Sequence, residues 1–306
     1  MWRYFGLVAL TFLLQNGNVR VEVRKSEVWL VRDGEEKQLT NDGKAKLQAE
    51  LSPSKDRIAY YEQCPENEHC TPTVIVLDLE GHRTRSFQLE QLAASSGGLC
   101  NSILSISWAG SNAISVECHI NPSLSEYIET DLETGQTTRD LLGYDFTLSP
   151  DGKKVAHVGW IPHFAPPFAK SNYLQLDNTT VYPLPEGAAP VEQKDLSEPP
   201  DVVDNDGLSF FGIHEFVSGL RWSPDSQHIA LVDCTYDWTA KNSDFVEGTE
   251  SENGCSVVVV SVTGKLQLFP LAKVSRTDLP RMDLEWTEPE ELTLYAAGTE
   301  KSFRIK

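Results

Sequence analysis

The stretch "LSPDGKKVAHVG" (residues 148–159) combines a tight turn with a short strand. Pro150 sets the backbone angle that a type I turn needs at its second position, and Gly152 suits the fourth position. The residues after the turn carry the β-branched and small side chains typical of a strand. The preceding "YDFTLS" is also strand-like. We therefore predict a β-hairpin, which we call an A–B hairpin.

This hairpin recurs along the chain. "LSPSKDRIAY" (51–60) and "WSPDSQHIAL" (222–231) are good copies, and two shorter copies open at Trp108 and Trp286. A second type, the C–D hairpin, alternates with the first and consists of an apolar strand, a turn at Gly or Asn, and a polar-alternating strand. Its five copies span 28–40, 73–89, 127–142, 172–184 (with Asn178 in place of Gly) and 255–271.

The alternation of the two hairpins predicts an all-β fold. Four-stranded units repeated at about 40 residues are typical of a β-propeller. The chain opens on a C–D hairpin and closes on an A–B hairpin, so pairing 28–40 with 286–296 would complete a fifth blade and close the ring. Further strands at 19–24 and 301–306 keep a six-bladed ring open as the alternative. We expect residues 19–306 to form this single propeller domain.

"LSPDGKKVAHVG" and "WSPDSQHIALVD" resemble the WD40-like PD40 repeat of Tol-system (TolB-like) propellers. The same repeat occurs in the propeller domains of prolyl-oligopeptidase-type peptidases. The resemblance implies a propeller over most of residues 28–300, but it does not imply one function, because many functions share the repeat. The sequence has no G-x-S-x-G nucleophile motif and no room for a hydrolase domain after the propeller, so peptidase activity is not expected.

The formal net charge of −19 argues against nucleic-acid binding, which needs clustered Lys and Arg. An acidic surface is compatible with cations, basic peptides or uncharged sugars as ligands, and also with a role in solubility alone. No phosphate-binding or dinucleotide-binding fingerprint occurs.

Residues 1–18 and the cysteines indicate export to the periplasm or the outside of the cell. Arg3 precedes an apolar run, 5–14, which is too short to span a bilayer but suits a signal peptide; a buried first strand is the alternative. We therefore expect no stable membrane span after processing. The six cysteines fall into local pairs, predicted as the disulfides Cys64–Cys70, Cys100–Cys118 and Cys234–Cys255, with unpaired buried thiols as the alternative.

The long connections are B–C or D–A segments, which lie on one face of a propeller because its strands alternate in direction. These segments are 62–72, 90–103, 159–171, 185–218 and 234–255. Their aromatic and acidic side chains suit sugar stacking, peptide capture or cation binding; the alternative is that they pin the loops to the sheets. The candidate binding residues are Trp160, His163, Phe164, Phe168, Phe210, Phe211, His214, Tyr236, Asp237 and Trp238.

Evidence for a metal or a catalytic centre is weak. Asp201, Asp204 and Asp206 in "DVVDNDG" have the composition of a calcium loop, but their spacing departs from the EF-hand pattern. No other cofactor is indicated, and no catalytic residue can be singled out. The sequence therefore favours a non-catalytic, exported module that binds a protein or peptide partner. The alternative is a carbohydrate-active hydrolase with paired carboxylates at the central channel.

Overall fold

The computed structural model describes residues 19–63, 72–89, 100, 102–121, 124–159, 171–184, 191–192, 203–204, 209–241, 248–272, 274, 282–296 and 299–306. The predicted signal segment 1–18 and the predicted bond Cys64–Cys70 lie outside these residues. The chain divides into two compact units, Met1–Ser86 and Phe87–Lys306. In the described part of the chain, no helix is both long and apolar enough to cross a membrane.

The first unit contains two antiparallel sheets whose strands follow one another in chain order. The first sheet has three strands: β1 (Val19–Arg24), β2 (Glu27–Arg32) and β3 (Glu35–Gln38). The second has four: β4 (Lys46–Leu51), β5 (Arg57–Glu62), β6 (Thr73–Asp78) and β7 (Arg83–Gln88). The central strands β2, β5 and β6 supply its apolar core, formed by Val28, Leu30, Ile58, Tyr60, Ile75 and Leu77.

A buried ion pair stabilises the start of β4. The side chain of Lys46 is fully buried, and its ammonium lies 3.3 Å from Glu27 and also contacts Asp42. Glu27 accepts further hydrogen bonds from the Thr40 hydroxyl and the Gly43 amide. Burial raises the pKa of Glu27, but these hydrogen bonds and Lys46 outweigh it, so the pKa lies below its usual value. Because each buried charge has partners, neither is left uncompensated.

The second unit contains three sheets of eight, six and three strands. The eight-stranded sheet comprises β8 (Ser102–Trp108), β9 (Ala113–Asn121), β10 (Leu124–Asp131), β11 (Thr137–Leu148), β12 (Val155–Gly159), β13 (Leu174–Leu176), β14 (Thr179–Tyr182) and β15 (Val191–Glu192). The six-stranded sheet comprises β16 (Val203–Asp204), β17 (Ser209–Phe216), β18 (Arg221–Trp222), β19 (His228–Ala240), β20 (Gly248–Ser261) and β21 (Leu266–Leu271). The last comprises β22 (Asp283–Glu288), β23 (Glu291–Ala296) and β24 (Thr299–Arg304).

Strand β11 belongs to two repeat units at once. Its first half, up to Gly143, pairs with β10, and its second half, from Gly143, pairs with β12. Gly143 sits at the crossing, where a Cβ atom would lie 2.4 Å from the carbonyl oxygen of Val158. Only glycine fits there. The last strand of one unit therefore continues into the first strand of the next without a loop.

The middle strands of the six-stranded sheet, β19 and β20, are buried on both faces within the second unit, over the part of their pairing between His228–Ser261 and Cys234–Cys255. Ile229 and Leu231 of β19 face one way and pack with residues of β12, β13 and β14. Ala230, Val232 and Cys234 face the other way and pack with residues of β22, β23 and β24. Because side chains alternate along a strand, two-sided burial requires the continuous apolar run seen in β19.

Three of the five A–B turns are closed by a buried serine. Ser52, Ser149 and Ser223 are 2%, 3% and 0% exposed. In the turn of the opening stretch, the Ser149 hydroxyl accepts hydrogen bonds from the amides of Lys153 and Lys154, at 3.1 and 3.0 Å. This bonding explains why the Ser-Pro pair recurs, since the hydroxyl satisfies amide groups that the strands leave unpaired.

Tryptophan at the opening position of a unit links it to the unit before. The indole N–H of Trp222 donates to the carbonyl of Thr147, and that of Trp286 donates to the carbonyl of Arg221, both at 3.0 Å. Thr147 and Arg221 occupy the same place, one residue before the turn opening, in successive copies. The same contact therefore recurs in these two successive copies.

All five A–B hairpins and all five C–D hairpins are present, as predicted. The turn of the fourth C–D copy differs in detail, because the residue with positive φ is Asp177 (51°) and not Asn178. Strands β1 and β24 add a third strand to the terminal hairpins. Strand β11 belongs to two units, because it pairs with β10 and with β12. When it is counted in both, the described strands form six antiparallel units. The predicted count of five blades is therefore not confirmed.

The predicted pairing of the hairpin 28–40 with the hairpin 286–296 is wrong. Strand β2 lies between β1 and β3, and β23 lies between β22 and β24. Neither strand has an edge left for the other. The terminal sequences 19–24 and 301–306, which extend their own hairpins, account for this difference.

We expect Ser223→Ala to lower the free energy of unfolding by about 1–3 kcal/mol, because the amide of His228 loses the buried Ser223 hydroxyl as its acceptor at 2.9 Å. Ser251→Ala, at an exposed position of β20, is the matched control and should change stability little. Urea unfolding of both variants measures the difference. Equal midpoints for the two variants would show that the buried hydroxyl does not stabilise the turn.

His157 in β12 is 1% exposed, and its Nε2–H donates to the Asp177 carbonyl at 2.8 Å. Its ring stacks on Phe146 at 5.1 Å, and its Nδ1 has no hydrogen-bond partner among the described residues. Burial lowers the pKa of this imidazole below 6.5, the value expected when unfolded. As the pH falls, His157 therefore binds a proton at a higher pH in the unfolded chain than in the folded protein.

Stability should accordingly decrease as the pH falls below about 6.5, by at most about 2 kcal/mol at pH 5 from this one group. His157→Gln keeps a polar side chain of similar reach but does not titrate, so it should flatten this part of the pH profile. Urea unfolding of both proteins between pH 5 and 7.5 provides the comparison. Parallel profiles would contradict the assignment.

Candidate functional site

A hairpin extension projects from the six-stranded sheet at the end opposite its A–B and C–D turns. Strands β19 and β20 pair from His228–Ser261 to Ala240–Gly248, with one register shift between Thr235 and Tyr236. Strand β21 pairs with β20 only as far as Cys255. The segment 234–255, predicted as a connecting insertion, is therefore mostly a two-stranded continuation of the B and C strands, which we call the extension (235–240 and 248–254).

A disulfide lies at the base of the extension. Cys234 and Cys255 are directly opposite each other in the sheet, with Cα atoms 4.0 Å apart, and are bonded as predicted. The predicted bond between Cys100 and Cys118 is also present. A bridge that closes a loop of this length contributes about 2–4 kcal/mol by restricting the unfolded chain. The extension is thus fastened where it leaves the core.

Strand β17 packs along the extension and covers its aromatic side chains. It pairs with β19 from Ser209–Thr239 to Phe216–Asp233. Phe210 and Tyr236 are buried at 8% and 5% exposure in a small cluster with Ile213, and Trp238 packs against it. These predicted binding aromatics therefore form the core of the extension.

Two other predicted residues lie nearer the surface. Phe211 points out of the sheet with 36% of its area exposed. The carboxylate of Asp237 accepts hydrogen bonds from the Gly212 amide and from the side-chain amide of Asn253, both at 2.9 Å. Asp237 therefore fastens β17 and β20 to β19, while Phe211 is available to a ligand.

Six of the other predicted site residues lie outside the described part of the chain: Trp160, His163, Phe164, Phe168, Asp201 and Asp206. Asp204 is the last residue of β16, which pairs with β17 opposite Phe210. The calcium site therefore stays a prediction.

The outer strand of the extension is exposed and acidic. Residues 249–253, "TESEN", are all exposed. Among the described strands, residues 248–254 of β20 pair with β19 alone. No described strand pairs with the other edge of this segment, and an edge of this kind is a place where an extended peptide adds as a further strand.

A His–Asp–Tyr group lies beneath the extension. Asp233 is 2% exposed, and its Oδ2 accepts hydrogen bonds from the Tyr182 hydroxyl at 2.7 Å and from Nδ1–H of His214 at 2.5 Å. The other oxygen, Oδ1, has no hydrogen-bond partner among the described residues. Burial, and then the charge of Asp233, raise the pKa of Tyr182 above its usual value. The group therefore holds a buried carboxylate between two donors.

The arrangement orients His214, a residue that sequence analysis singled out. Its Nδ1–H donates to the buried carboxylate of Asp233 at 2.5 Å. The His214 side chain is 15% exposed. Its main chain is fixed by Ser171 and Asn172, which bond to its amide at 3.2 Å and its carbonyl at 2.8 Å. The ring is therefore rigidly oriented.

Two carboxyl groups elsewhere in the second unit have raised pKa values. Burial raises the pKa of Glu117 in β9, and the negative charge of Asp145 raises it further. Asp145 in β11 has an exposed surface, yet the surrounding protein desolvates its carboxyl group and so raises its pKa. A hydrogen bond from the Leu220 amide at 3.3 Å acts in the opposite direction. Such pairs occur in acid–base sites as well as in structural networks.

Sequence analysis missed Asp233, Tyr182, Glu117 and Asp145. One signal was available for Asp233, since it is the single charged residue in the buried run "HIALVDCT". For Tyr182, Glu117 and Asp145, the neighbouring sequence contains no feature that would have singled them out. Their roles depend on which strand of a neighbouring unit faces them.

No protein-family model matches the chain. No curated protein matches it either. Similar solved structures include TolB from Acinetobacter baumannii, at 15% identity with a TM-score of 0.33; the match covers 94% of this chain and 63% of the TolB chain. The Dos1 propeller matches at 9% identity and a TM-score of 0.45, over 94% of this chain and 66% of that one.

The β-propeller domain of the Trilobed protease from Pyrococcus furiosus matches at 13% identity with a TM-score of 0.35. That match covers 93% of this chain and 92% of the domain. Tol-system proteins and peptidase propellers are the groups that the sequence motif resembles. At these scores the similarities assign neither an activity nor a partner to this chain.

Proposed function

We propose that this chain is a non-catalytic, exported β-propeller of six blades that binds a protein or peptide partner. The partner docks on the end of the sheets where the B–C and D–A connections lie, with the extension as its fixed contact. The observation that carries the proposal is the extension itself, since two strands continue beyond the apolar core and are clamped by a disulfide.

The edge of residues 248–254 with which no described strand pairs supports a specific mode of binding. An extended segment of the partner pairs with the backbone of this edge, which supplies affinity without fixing the partner's sequence. Glu250 and Glu252 are exposed on the same strand, and the whole chain carries a net charge of −19. A basic segment is therefore the preferred partner, and binding should weaken as salt is added.

The two described disulfides support export. Bridges of this kind persist in oxidising compartments and are rare in the cytosol. The apolar segment at 5–14 is consistent with a signal peptide. Together they favour the periplasm or the outside of the cell as the place where the chain meets its partner.

Crosslinking in the producing cell tests the binding surface. Glu250→Lys with Glu252→Lys reverses the charge of the extension, and Glu288→Lys with Glu291→Lys makes the same change at the A–B turn of the last unit. We expect the extension variant to lose at least about tenfold of the crosslinked partner, because its edge then repels a basic segment. The control variant should crosslink like the unmodified protein. Equal capture by all three proteins would contradict this surface.

The Glu117–Asp145 pair favours a second candidate function, hydrolysis of a glycosidic bond. A carboxyl group with a raised pKa serves as the general acid of such a reaction, and a second carboxylate serves as base or nucleophile. This function is tested by assaying hydrolysis of a panel of aryl glycosides. The assay compares the unmodified protein with the variants Asp145→Asn and Glu117→Gln. Turnover abolished by both substitutions would establish the hydrolase. Absence of turnover, or turnover that both variants keep, would exclude this pair.

A further inference from the structure

The extension contains an asparagine that is followed by glycine. Asn253–Gly254 lies in the outer strand β20, and Asn253 is exposed. The other exposed asparagines in the described part of the chain, Asn41, Asn112 and Asn178, are followed by Asp, Ala and Thr. Asparagine is a thermolabile residue, and a following glycine hinders its own amide nitrogen least, because glycine has no Cβ atom. Asn253 is therefore chemically distinct from the other three.

The backbone is irregular at this pair. In the pairing of β20 with β19, Gly254 is opposite Thr235 and Glu252 is opposite Tyr236, so no residue of β19 is opposite Asn253. Asn253 is thus the extra residue of a β-bulge, which interrupts the regular pairing of two strands. Gly254 has a φ of 124°, and a Cβ atom there would meet no described atom within 4 Å. There is consequently room for a change of the backbone at this bond.

The Asn253 side chain helps to hold the extension together. Its Nδ2–H donates to Oδ1 of Asp237 at 2.9 Å, and the same oxygen accepts the Gly212 amide N–H at 2.9 Å. Because Asp237 lies on β19 and Gly212 on β17, one carboxylate oxygen joins three strands. This contact needs a donor at position 253. A carboxylate at that position would face the carboxylate of Asp237, and the two negative charges would repel each other.

We propose that Asn253 is a site of spontaneous deamidation, and that this modification releases Asp237 and loosens the extension. The Gly254 amide nitrogen attacks Cγ of Asn253, and the new N–C bond closes a five-membered succinimide ring. The Cγ–Nδ2 bond breaks, and ammonia leaves with the proton of the Gly254 amide. Water then opens the ring at either carbonyl group. The products are aspartate and isoaspartate.

Both products weaken the contact between the strands. Each adds one negative charge to the outer strand, and neither offers a side-chain donor to Asp237. Isoaspartate also adds a methylene group to the backbone of β20, two bonds of the chain away from the Cys234–Cys255 bridge. The bridge keeps the base of the extension attached to the core while the outer part loosens. The effect on a bound partner rests on the proposed function, whereas the chemistry at Asn253 does not.

Peptide mapping by mass spectrometry tests the site after the folded, oxidised protein is kept in mildly alkaline buffer. We expect Asn253 to be deamidated several times faster than Asn41, Asn112 and Asn178, which serve as references in the same digest. The rate should rise with pH, because the attacking amide nitrogen must lose its proton. Gly254→Ala should slow the reaction, since a methyl group hinders the attack. Deamidation of Asn253 no faster than that of the three references would overturn the proposal.

Asn253→Asp supplies the aspartate product directly and tests its effect on the extension. We expect hydrogen exchange of the Gly212 amide to become at least about fivefold faster, because repulsion displaces its acceptor Asp237. Thr249→Asp adds the same charge to β20 opposite Thr239 and should leave this exchange unchanged. Equal exchange in the two variants would show that deamidation does not loosen the extension. Neither measurement involves a partner, so failure here is distinguishable from failure of the proposed docking surface.

Discussion

Burial of both faces of the middle strands is the constraint on which this structure depends. Val232 and Val257 pack towards one neighbouring group of strands, while Leu231 and Val258 pack towards the other. A shift of the register by one residue would exchange the two faces, yet both would stay apolar. The register is therefore held by the turns, whose buried serines bond to the amides of the following strand.

The same constraint explains why the extension is a separate structure. Beyond Cys234 and Cys255 the strands leave the space between neighbouring sheets, so their side chains lose the packing that holds the rest of the hairpin. The disulfide and the cluster around Phe210 and Tyr236 replace that packing. This small core is formed by residues of β17 and β19 alone, so the acidic residues of the outer strand, β20, face solvent.

Two buried carboxylates interrupt the apolar packing of the second unit. Asp233 follows Leu231 on the face that packs against Tyr182, and it uses its position to hold Tyr182 and His214. Glu126 lies equally deep, beside a disulfide. A carboxylate costs free energy to bury, and for Asp233 the hydrogen bonds from Tyr182 and His214 offset that cost.

The sequence by itself determined the ten hairpins, their order and the Cys100–Cys118 and Cys234–Cys255 bonds. Turn chemistry and strand alternation are local, and paired cysteines close in sequence are bridged by one hairpin. Only the tertiary structure decided that β11 serves two units, that β1 and β24 complete the terminal hairpins, and that Asp233 meets His214. Those outcomes depend on which strands become neighbours, and neighbouring strands are chosen by non-local packing that no short stretch of sequence records.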